Sequence, residues 1–280
     1  MVGKKQTKKA DKDLKQKNRA IFALFKSMAR YFLELMYDGG AFHGSQLQGE
    51  LPTVQLSVNK ALGILLSDTT IETWGASRTD EGVHALCNFY HFDTEKELHP
   101  HFHYKLNAIL PDAIAIKKIY LVNGDMNARF NAVQRRYRYR IYSKKEPFLV
   151  GRACFYPLSI NSDVLHLTAA ILKEYTHFET FSKRRTQTKT FTCRLTESYW
   201  EQNGDELQYV VEGNRFLRGM VRGLVGTQLQ VARGKYSIED FRKIIESNDC
   251  KKADFSVPGH GLYLEKIVYP EGSLKELDLM

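Results

Sequence analysis

The sequence has few cysteines, few prolines and short hydrophobic runs. Its 280 residues include four cysteines and seven prolines. The cysteines form no C-x-x-C pair, which argues against a disulfide framework and against a structural zinc site. Unbroken apolar stretches such as residues 21–25 are far shorter than the ~20 residues that cross a bilayer, and too short for a signal-peptide core. We therefore expect a soluble cytoplasmic protein without a membrane partner.

The composition is that of an ordinary globular protein. Hydrophobic residues make up 43% and charged residues 26% of the chain, which also has 19 glycines. This balance excludes collagen-like, low-complexity and wholly disordered proteins. The length exceeds the usual ~100 to 200 residues of a single domain, so it predicts one large domain or two medium ones.

The formal net charge of +9 suggests an acidic partner such as nucleic acid, but most of this charge lies at the N-terminus. Residues 1–28 hold nine basic and two acidic side chains, a net of +7, which leaves +2 for residues 29–280. We expect residues 1–28 to form a disordered Lys-rich extension, either a native arm or upstream sequence translated ahead of Met28. The charge of the whole chain therefore says little about the folded body.

Basic residues nevertheless cluster in two segments of the body. Residues 129–145 hold seven basic side chains, with tyrosines interleaved among them. The second group is Lys183, Arg184, Arg185, Lys189 and Arg194. Such segments can hold phosphates and stack bases, but the same alternation is typical of a solvated strand face. The spacing alone does not choose between these interpretations.

Hydrophobic periodicity predicts an α+β protein. The predicted strands are residues 31–38, 71–74, 86–92, 113–122, 135–142, 188–200, 207–212 and 262–269. The predicted helices are residues 54–65 after a Thr53 cap, 103–109, 163–175, 214–232 and 238–247. In residues 135–142, one face of the strand is expected to carry Arg136, Arg138 and Arg140, and the other face Tyr137, Tyr139 and Ile141.

The order of these elements suggests two α+β halves, residues 29–140 and 141–280. Strands joined by hairpin-like turns favour largely antiparallel sheets with helices on one face. A doubly wound parallel fold is disfavoured, because regular strand-helix alternation and a glycine-rich nucleotide loop are both missing.

A polar turn between two apolar strands is the first candidate for chemistry. Residues 78–82 read Arg-Thr-Asp-Glu-Gly, and His84 follows. Loops in such positions often carry function. The simpler interpretation is that Asp80 forms an Asx turn and that His84 is a hydrogen-bonded histidine at a strand end.

This segment, residues 75–85, resembles the signature G-x-x-R-T-D-x-G-V-H-A of the TruA family of tRNA pseudouridine synthases. Further blocks resemble the family in the same order and extend the resemblance over roughly residues 29–270. They are Tyr37-Asp38-Gly39 with Gly44 and Gln46, residues 107–112, Ala128-Arg129-Phe130, residues 135–139, residues 216–226 and residues 261–264. One departure is Ser45, where family members usually have tryptophan.

The resemblance implies a pseudouridine synthase fold, in which the two halves meet at a central RNA-binding cleft. It implies isomerisation of uridine to pseudouridine in the anticodon arm of tRNA, with no metal and no cofactor, by a homodimer. The runner-up is a catalytically weak tRNA-binding or RNA-folding protein on the same fold. A zinc-dependent tRNA deaminase would need a P-C-x-x-C pair, which the sequence lacks.

The resemblance also assigns roles to residues. Asp80 matches the catalytic aspartate, which acts as a nucleophile or as a stabiliser or base toward the sugar. Arg222 is expected to pair with it, although spacing alone favours a solvated helix stripe with Arg215 and Arg218. Tyr137 is expected against the target base, although a core tyrosine is the simpler interpretation.

Arg78 matches an arginine that enters the RNA stem and helps to displace the target nucleotide. The other expected substrate-binding residues are Thr79, Gly82, His84, Arg136 and Arg138.

Overall fold

The computed structural model describes residues 28–183, 188–277 and 279. The strands are β1 (Ala29–Tyr37), β2 (Trp74–Gly75), β3 (His84–Thr94), β4 (Ile114–Val122), β5 (Gln134–Tyr142), β6 (Cys154–Phe155), β7 (Leu195–Asn203), β8 (Glu206–Gly213), β9 (Leu262–Val268) and β10 (Lys275–Glu276). The helices are α1 (Val54–Leu66), α2 (Phe102–Ile109), α3 (Ser162–Leu172), α4 (Met220–Ala232) and α5 (Ile238–Glu246).

Within these described residues, ten strands form one sheet in the order β10-β4-β1-β3-β9-β5-β8-β7, with β2 paired to β3 and β6 to β5. Most neighbours are antiparallel, but β3 and β9 are parallel, as are β5 and β6. The α+β class with largely antiparallel strands is therefore confirmed. The strands expected in two sheets are joined into one because β9, from the end of the chain, lies between β3 and β5. The proposed boundary after residue 140 falls inside β5, and the division into halves stays a prediction.

Helix α1 shows why local sequence signals succeeded in the first half. The Thr53 hydroxyl accepts a hydrogen bond from the backbone N–H of Leu56 at 3.2 Å, as expected of an N-cap. The helix ends where Ser67 adopts a left-handed conformation with φ of 46°. Val58 and Leu62 are fully buried on one side of α1, so its apolar face packs into the core.

Strand β5 has the predicted division of faces. Tyr137, Tyr139 and Ile141 are buried, and α3 and α4 lie on their side of the sheet. The Trp200 indole of β7 donates to the Gln228 side chain of α4 at 2.9 Å on that side. The alternating arginines of β5 point to the opposite face of the sheet.

Three predicted elements begin later than expected. The helix predicted from residue 214 begins at Met220, because Gly219 has a φ of 75° and Asn214 is bonded to the backbone of Arg194. Arg215 and Arg218 therefore precede the helix and form no stripe with Arg222. The strand predicted from residue 188 begins at Leu195, and the strand predicted at 71–74 is reduced to β2.

The predicted Lys-rich extension lies outside the described residues, apart from Met28, as do Arg184 and Arg185 of the second basic group. None of the helices in the described ranges is long and apolar enough to cross a membrane.

Candidate active site

The polar turn forms a loop of residues 76–83, here called the Asp80 loop, between β2 and β3. Its first part is held by the buried side chain of Asn88, which accepts from the Ser77 N–H at 3.3 Å and donates to the Ser77 carbonyl at 3.1 Å. The Val83 N–H closes the turn on the Asp80 carbonyl at 3.2 Å. Gly82 has a φ of 76°, a conformation that side-chain-bearing residues rarely adopt. Gly82 thus shapes the turn.

Two cations face the Asp80 carboxylate. Its Oδ2 lies 3.7 Å from Nη1 of Arg222 and 3.9 Å from Nζ of Lys183. The Asp80 side chain is 29% exposed, so it remains open to a ligand while the cations offset the cost of its partial burial. The expected pairing of Arg222 with Asp80 is present in the structure.

Arg222 is held in place by the segment before β9. Its Nε donates to the Val257 carbonyl at 2.8 Å, and Nη2 donates to the Phe255 carbonyl at 3.3 Å. These bonds leave Nη1 directed at Asp80. Because the guanidinium is anchored by backbone groups, the cation keeps its position when the carboxylate interacts with a substrate.

Lys183 was not singled out as a site residue by the sequence, which shows only a basic group around it. Its backbone N–H donates to the Arg218 carbonyl at 3.0 Å, and its side chain passes over Gly219. A Cβ atom at Gly219 would lie 3.0 Å from the Lys183 Cγ. The glycine that starts α4 therefore also makes room for the second cation at Asp80.

Tyr137 lies beside this carboxylate on the helix-covered face of the sheet. It is buried, and its ring packs edge-on against Phe216 with centroids 5.0 Å apart. Burial raises the pKa of the Tyr137 phenol; the Arg135 charge and a Ser77 hydrogen bond oppose this rise, whereas the Asp80 charge adds to it. The phenol is therefore neutral near pH 7 and carries a proton that it can donate.

Arg135 is a site residue whose role the sequence did not reveal. It is buried, and its guanidinium donates to the Ser77 hydroxyl at 3.2 Å and to the carbonyls of Arg129 and Asn214 at 2.7 and 3.1 Å. It thereby ties the Asp80 loop to β5 and to the segment before α4. The guanidinium of Arg135 makes its hydrogen bonds to groups of the protein, so Arg135 acts by positioning the site.

Ser45 and Thr79 form a buried pair that supports the loop from below. The Thr79 N–H donates to the Ser45 hydroxyl at 2.8 Å, and the Ser45 N–H donates to the Thr79 carbonyl at 3.1 Å. The Thr79 hydroxyl lies 2.9 Å from that of Tyr37. Gly44 has a φ of 94°, and a Cβ atom there would approach the Thr79 carbonyl to 3.0 Å. The departure at Ser45 therefore supports the loop that carries Asp80.

His84 is also enclosed by protein. Its Nδ1 accepts from the Gly39 N–H at 3.1 Å, and its Nε2 donates to the Gly151 carbonyl at 3.0 Å. Burial lowers its pKa, although Asp38 opposes this effect. The hydrogen-bonded histidine at a strand end, the simpler of the two interpretations, is what the structure shows.

Arg136 and Arg138 do not join Asp80. They lie on the opposite face of the sheet, where Arg136 pairs with Glu212 at 2.8 Å and Arg138 pairs with Glu265 at 3.0 Å and with Glu201. Their strand parity forces this separation, because Tyr137 between them faces the site. A ligand would have to contact both faces of the sheet to meet them together with Asp80.

Arg78, in contrast, is exposed at the outer end of the Asp80 loop. It is close enough to Arg129 for its charge to lower the pKa of Arg129, after the larger effect of burial. The structure thus groups Asp80, Tyr137, Arg222, Arg78 and Thr79 around one loop. Groups of three or more potential metal ligands are absent from the described ranges.

Several known proteins are similar in sequence to this chain. The family profile described as tRNA pseudouridine synthase matches residues 173–270. The tRNA pseudouridine synthase A of Parabacteroides distasonis is 41% identical over 246 residues, covering 87% of this chain and 97% of that protein. The corresponding protein of Bacteroides thetaiotaomicron is 40% identical, covering 89% of this chain and 94% of that protein. That of Staphylococcus aureus (strain N315) is 34% identical, covering 88% and 92%.

The profile match covers β7, β8, α4, α5 and β9 of this mostly antiparallel sheet, together with Lys183 and Arg222. Identity of 34–41% over nearly the whole length of these relatives shows that the chain belongs to the TruA family of tRNA pseudouridine synthases. The resemblance drawn from the sequence motifs is thereby confirmed.

Proposed function

We propose that this protein isomerises uridine to pseudouridine in the anticodon arm of tRNA, with Asp80 as the catalytic carboxylate. Membership of the family supports an isomerase that acts on tRNA uridines. The observation that carries the residue assignment is the partly exposed Asp80 carboxylate, which faces Arg222 and Lys183 and lies beside the Tyr137 phenol. The active unit is proposed to be a homodimer in the cytoplasm.

The reaction breaks the C–N bond between uracil and ribose and forms a C–C bond from the same ribose carbon to C5 of uracil. It is balanced without a redox partner, because the C5 proton is lost and the freed ring nitrogen is protonated. The Asp80 carboxylate acts on the ribose, either as the nucleophile or as a base or stabiliser. Each of these roles uses the negative charge of the carboxylate, and Arg222 and Lys183 lie within 4 Å of it.

Tyr137 and Arg78 act on the base. The Tyr137 ring offers a surface against which the detached uracil can turn, and its protonated phenol can take part in transfer of the C5 proton. Extrusion of a base from a stem costs a few kcal/mol, and the exposed Arg78 side chain can offset part of this cost by filling the vacated space.

The alternative of a catalytically weak RNA-binding protein drew its support from Ser45. In the structure Ser45 is 1% exposed and accepts the Thr79 N–H, so the substitution does not dismantle the site. No other feature of the site favours that alternative.

The test compares Asp80→Asn with Glu81→Gln, an exposed carboxylate in the same loop. With tRNA transcripts and pseudouridine mapping, we expect Asp80→Asn to lose at least about 10³-fold in single-turnover rate while tRNA binding persists. Glu81→Gln should react at nearly the wild-type rate. Substantial turnover by Asp80→Asn, or modified uridines outside the anticodon arm, would contradict the proposal.

A further inference from the structure

A pocket opens beside the Asp80 loop, and Ser77 and Arg78 of that loop line it. It has a volume of about 260 Å³, and its walls include Ser45, Trp74, Tyr90, Arg78, Arg129 and Phe130. We call it the Trp74 pocket. This volume is just below the usual range of small-molecule sites, which suits one flat ring system rather than a large ligand.

Two aromatic side chains in the wall are strongly exposed. Trp74 is 47% exposed and Phe130 is 77% exposed. One side of the Trp74 indole is held by His91, with ring centroids 5.2 Å apart and planes at 26°. An indole that is fixed by the protein yet open to solvent is a ready surface for stacking, because little conformational entropy remains to be lost.

Ser45 and Tyr90 belong to the inner wall of the pocket. Ser45 lines the pocket, and Tyr90 behind it is 1% exposed and donates its hydroxyl to the Ser45 carbonyl at 3.1 Å.

Arg78 and Arg129 make the pocket electropositive. Neither forms an ion pair with a carboxylate in the described part of the chain. The pKa of Arg129 is lowered by burial and then by the charges of Arg78, Arg135 and Arg215, so the positive charges there are close together without an anion among them. Such a cluster attracts a phosphate.

We propose that the Trp74 pocket receives an unpaired nucleotide of the tRNA next to the target uridine, whose base stacks on Trp74 and Phe130 while its phosphate contacts Arg129, beside the Arg78 side chain that fills the vacated space. This inference rests on the proposed function, because it takes tRNA as the substrate. Stacking recognises every base by its π face, so the site adds affinity and holds the loop open without reading sequence.

The first test uses the intrinsic fluorescence of Trp74. The chain has two tryptophans, and Trp200 is 2% exposed and bonded to Gln228, so exposed indole emission reports on Trp74. Titration with anticodon-arm RNA should quench this emission at saturation, and Trp74→Phe should lose the quenching. If the emission of Trp74 is unchanged at saturating RNA, the proposal is overturned. Equal quenching by free uridine monophosphate at the same concentration would also overturn it, since the pocket would then take free nucleotides.

The second test asks whether the nucleotide beside the target is what Trp74 contacts. Trp74→Ala should raise KM about 10-fold with little change in kcat, the size expected for one lost stacking contact. An RNA with an abasic residue beside the target should raise the wild-type KM by a similar factor and should make Trp74→Ala and wild type equal. Independent, multiplying effects of the two changes would contradict the assignment.

The matched control is Tyr104→Ala, another strongly exposed aromatic residue, on α2. It should leave KM unchanged. Failure of this inference is distinguishable from failure of the proposed function. Wild-type protein that forms pseudouridine with no effect of Trp74→Ala rejects only the pocket, whereas absence of pseudouridine in every tRNA tested rejects the function itself.

Discussion

Because Lys183 also lies at the Asp80 carboxylate, Arg222 is not the sole cation that compensates its charge. With one cation, removal of Arg222 would leave a partly buried carboxylate uncompensated, and the loop would be expected to lose its place. With Lys183 at 3.9 Å on the same oxygen, charge compensation is shared between two segments of the chain. Arg222 still differs from Lys183 because its guanidinium is anchored on backbone carbonyls.

Arg222→Ala should therefore lower the single-turnover rate by about 10²-fold and the free energy of unfolding by about 1–2 kcal/mol. The cost in stability comes from an Asp80 charge that is left with Lys183 alone and from the two freed carbonyls. Urea unfolding of Arg222→Ala and of the double variant with Asp80→Asn measures the pairing. The double variant should be the more stable of the two, and equal stability would refute the pairing of Asp80 with Arg222.

At the scale of the element, the Asp80 loop is held from three directions. The side chain of Asn88 in β3 makes hydrogen bonds to the backbone N–H and carbonyl of Ser77. Arg135 of β5 donates to the Ser77 hydroxyl. Ser45 makes hydrogen bonds to the backbone N–H and carbonyl of Thr79. A loop that must keep one carboxylate within reach of a ribose benefits from such support, because small displacements of a reacting group cost rate.

Ser45→Ala tests this support. It leaves the buried Thr79 N–H without its acceptor, so the free energy of unfolding should fall by about 1–3 kcal/mol. Because Thr79 precedes Asp80, kcat should fall more than KM rises. The control is Ser57→Ala, whose hydroxyl only adds a second bond to the Thr53 carbonyl of α1. A Ser45→Ala variant with wild-type stability and kcat would show that the pair does not position the loop.

At the scale of the whole molecule, buried histidines link stability to pH. His91 is 3% exposed, and burial together with the Arg30 charge lowers its pKa from 6.5 to about 4. As pH falls below about 6.5, the unfolded chain binds a proton that the folded protein does not, so stability decreases until the folded pKa is reached. His84 and His260 also have lowered pKa values, chiefly through burial.

The free energy of unfolding should accordingly fall between about pH 6.5 and pH 4, with His91 contributing up to about 3 kcal/mol of this loss. His91→Gln should be less stable than wild type at pH 7 and should approach wild type near pH 4. The exposed His166→Gln of α3 serves as control. Urea titrations at three pH values measure the difference, and a gap between His91→Gln and wild type that stays constant with pH would contradict this account.

Removal of residues 1–27 should affect the binding of tRNA by the whole molecule but not its fold. This Lys-rich segment lacks sustained apolar periodicity and lies outside every block that resembles the family, so the shortened protein should fold and modify the same uridines. The loss of about seven net positive charges should weaken tRNA affinity and reduce its dependence on salt. Modification maps and saturating rates of the full and shortened proteins are compared at two salt concentrations. An altered site pattern would assign the arm to recognition.

The sequence by itself determined the local features of this protein. The Thr53 cap, the division of faces on β5 and the motif that surrounds Asp80 follow from nearest neighbours and from side-chain periodicity. They could be predicted because each depends on residues a few positions apart. The local pattern predicted the wrong start for α4, because Asn214 and Gly219 are held by contacts with distant segments.

Only the tertiary structure decided which distant segments meet. Periodicity states which face a side chain takes but not which strand lies beside it, so the insertion of β9 between β3 and β5 was not predictable. For the same reason the sequence did not reveal Lys183 at Asp80, or Ser45 beneath Thr79. Parity along β5 also carries Arg136 and Arg138 away from Tyr137, because one strand cannot present adjacent residues to the same face.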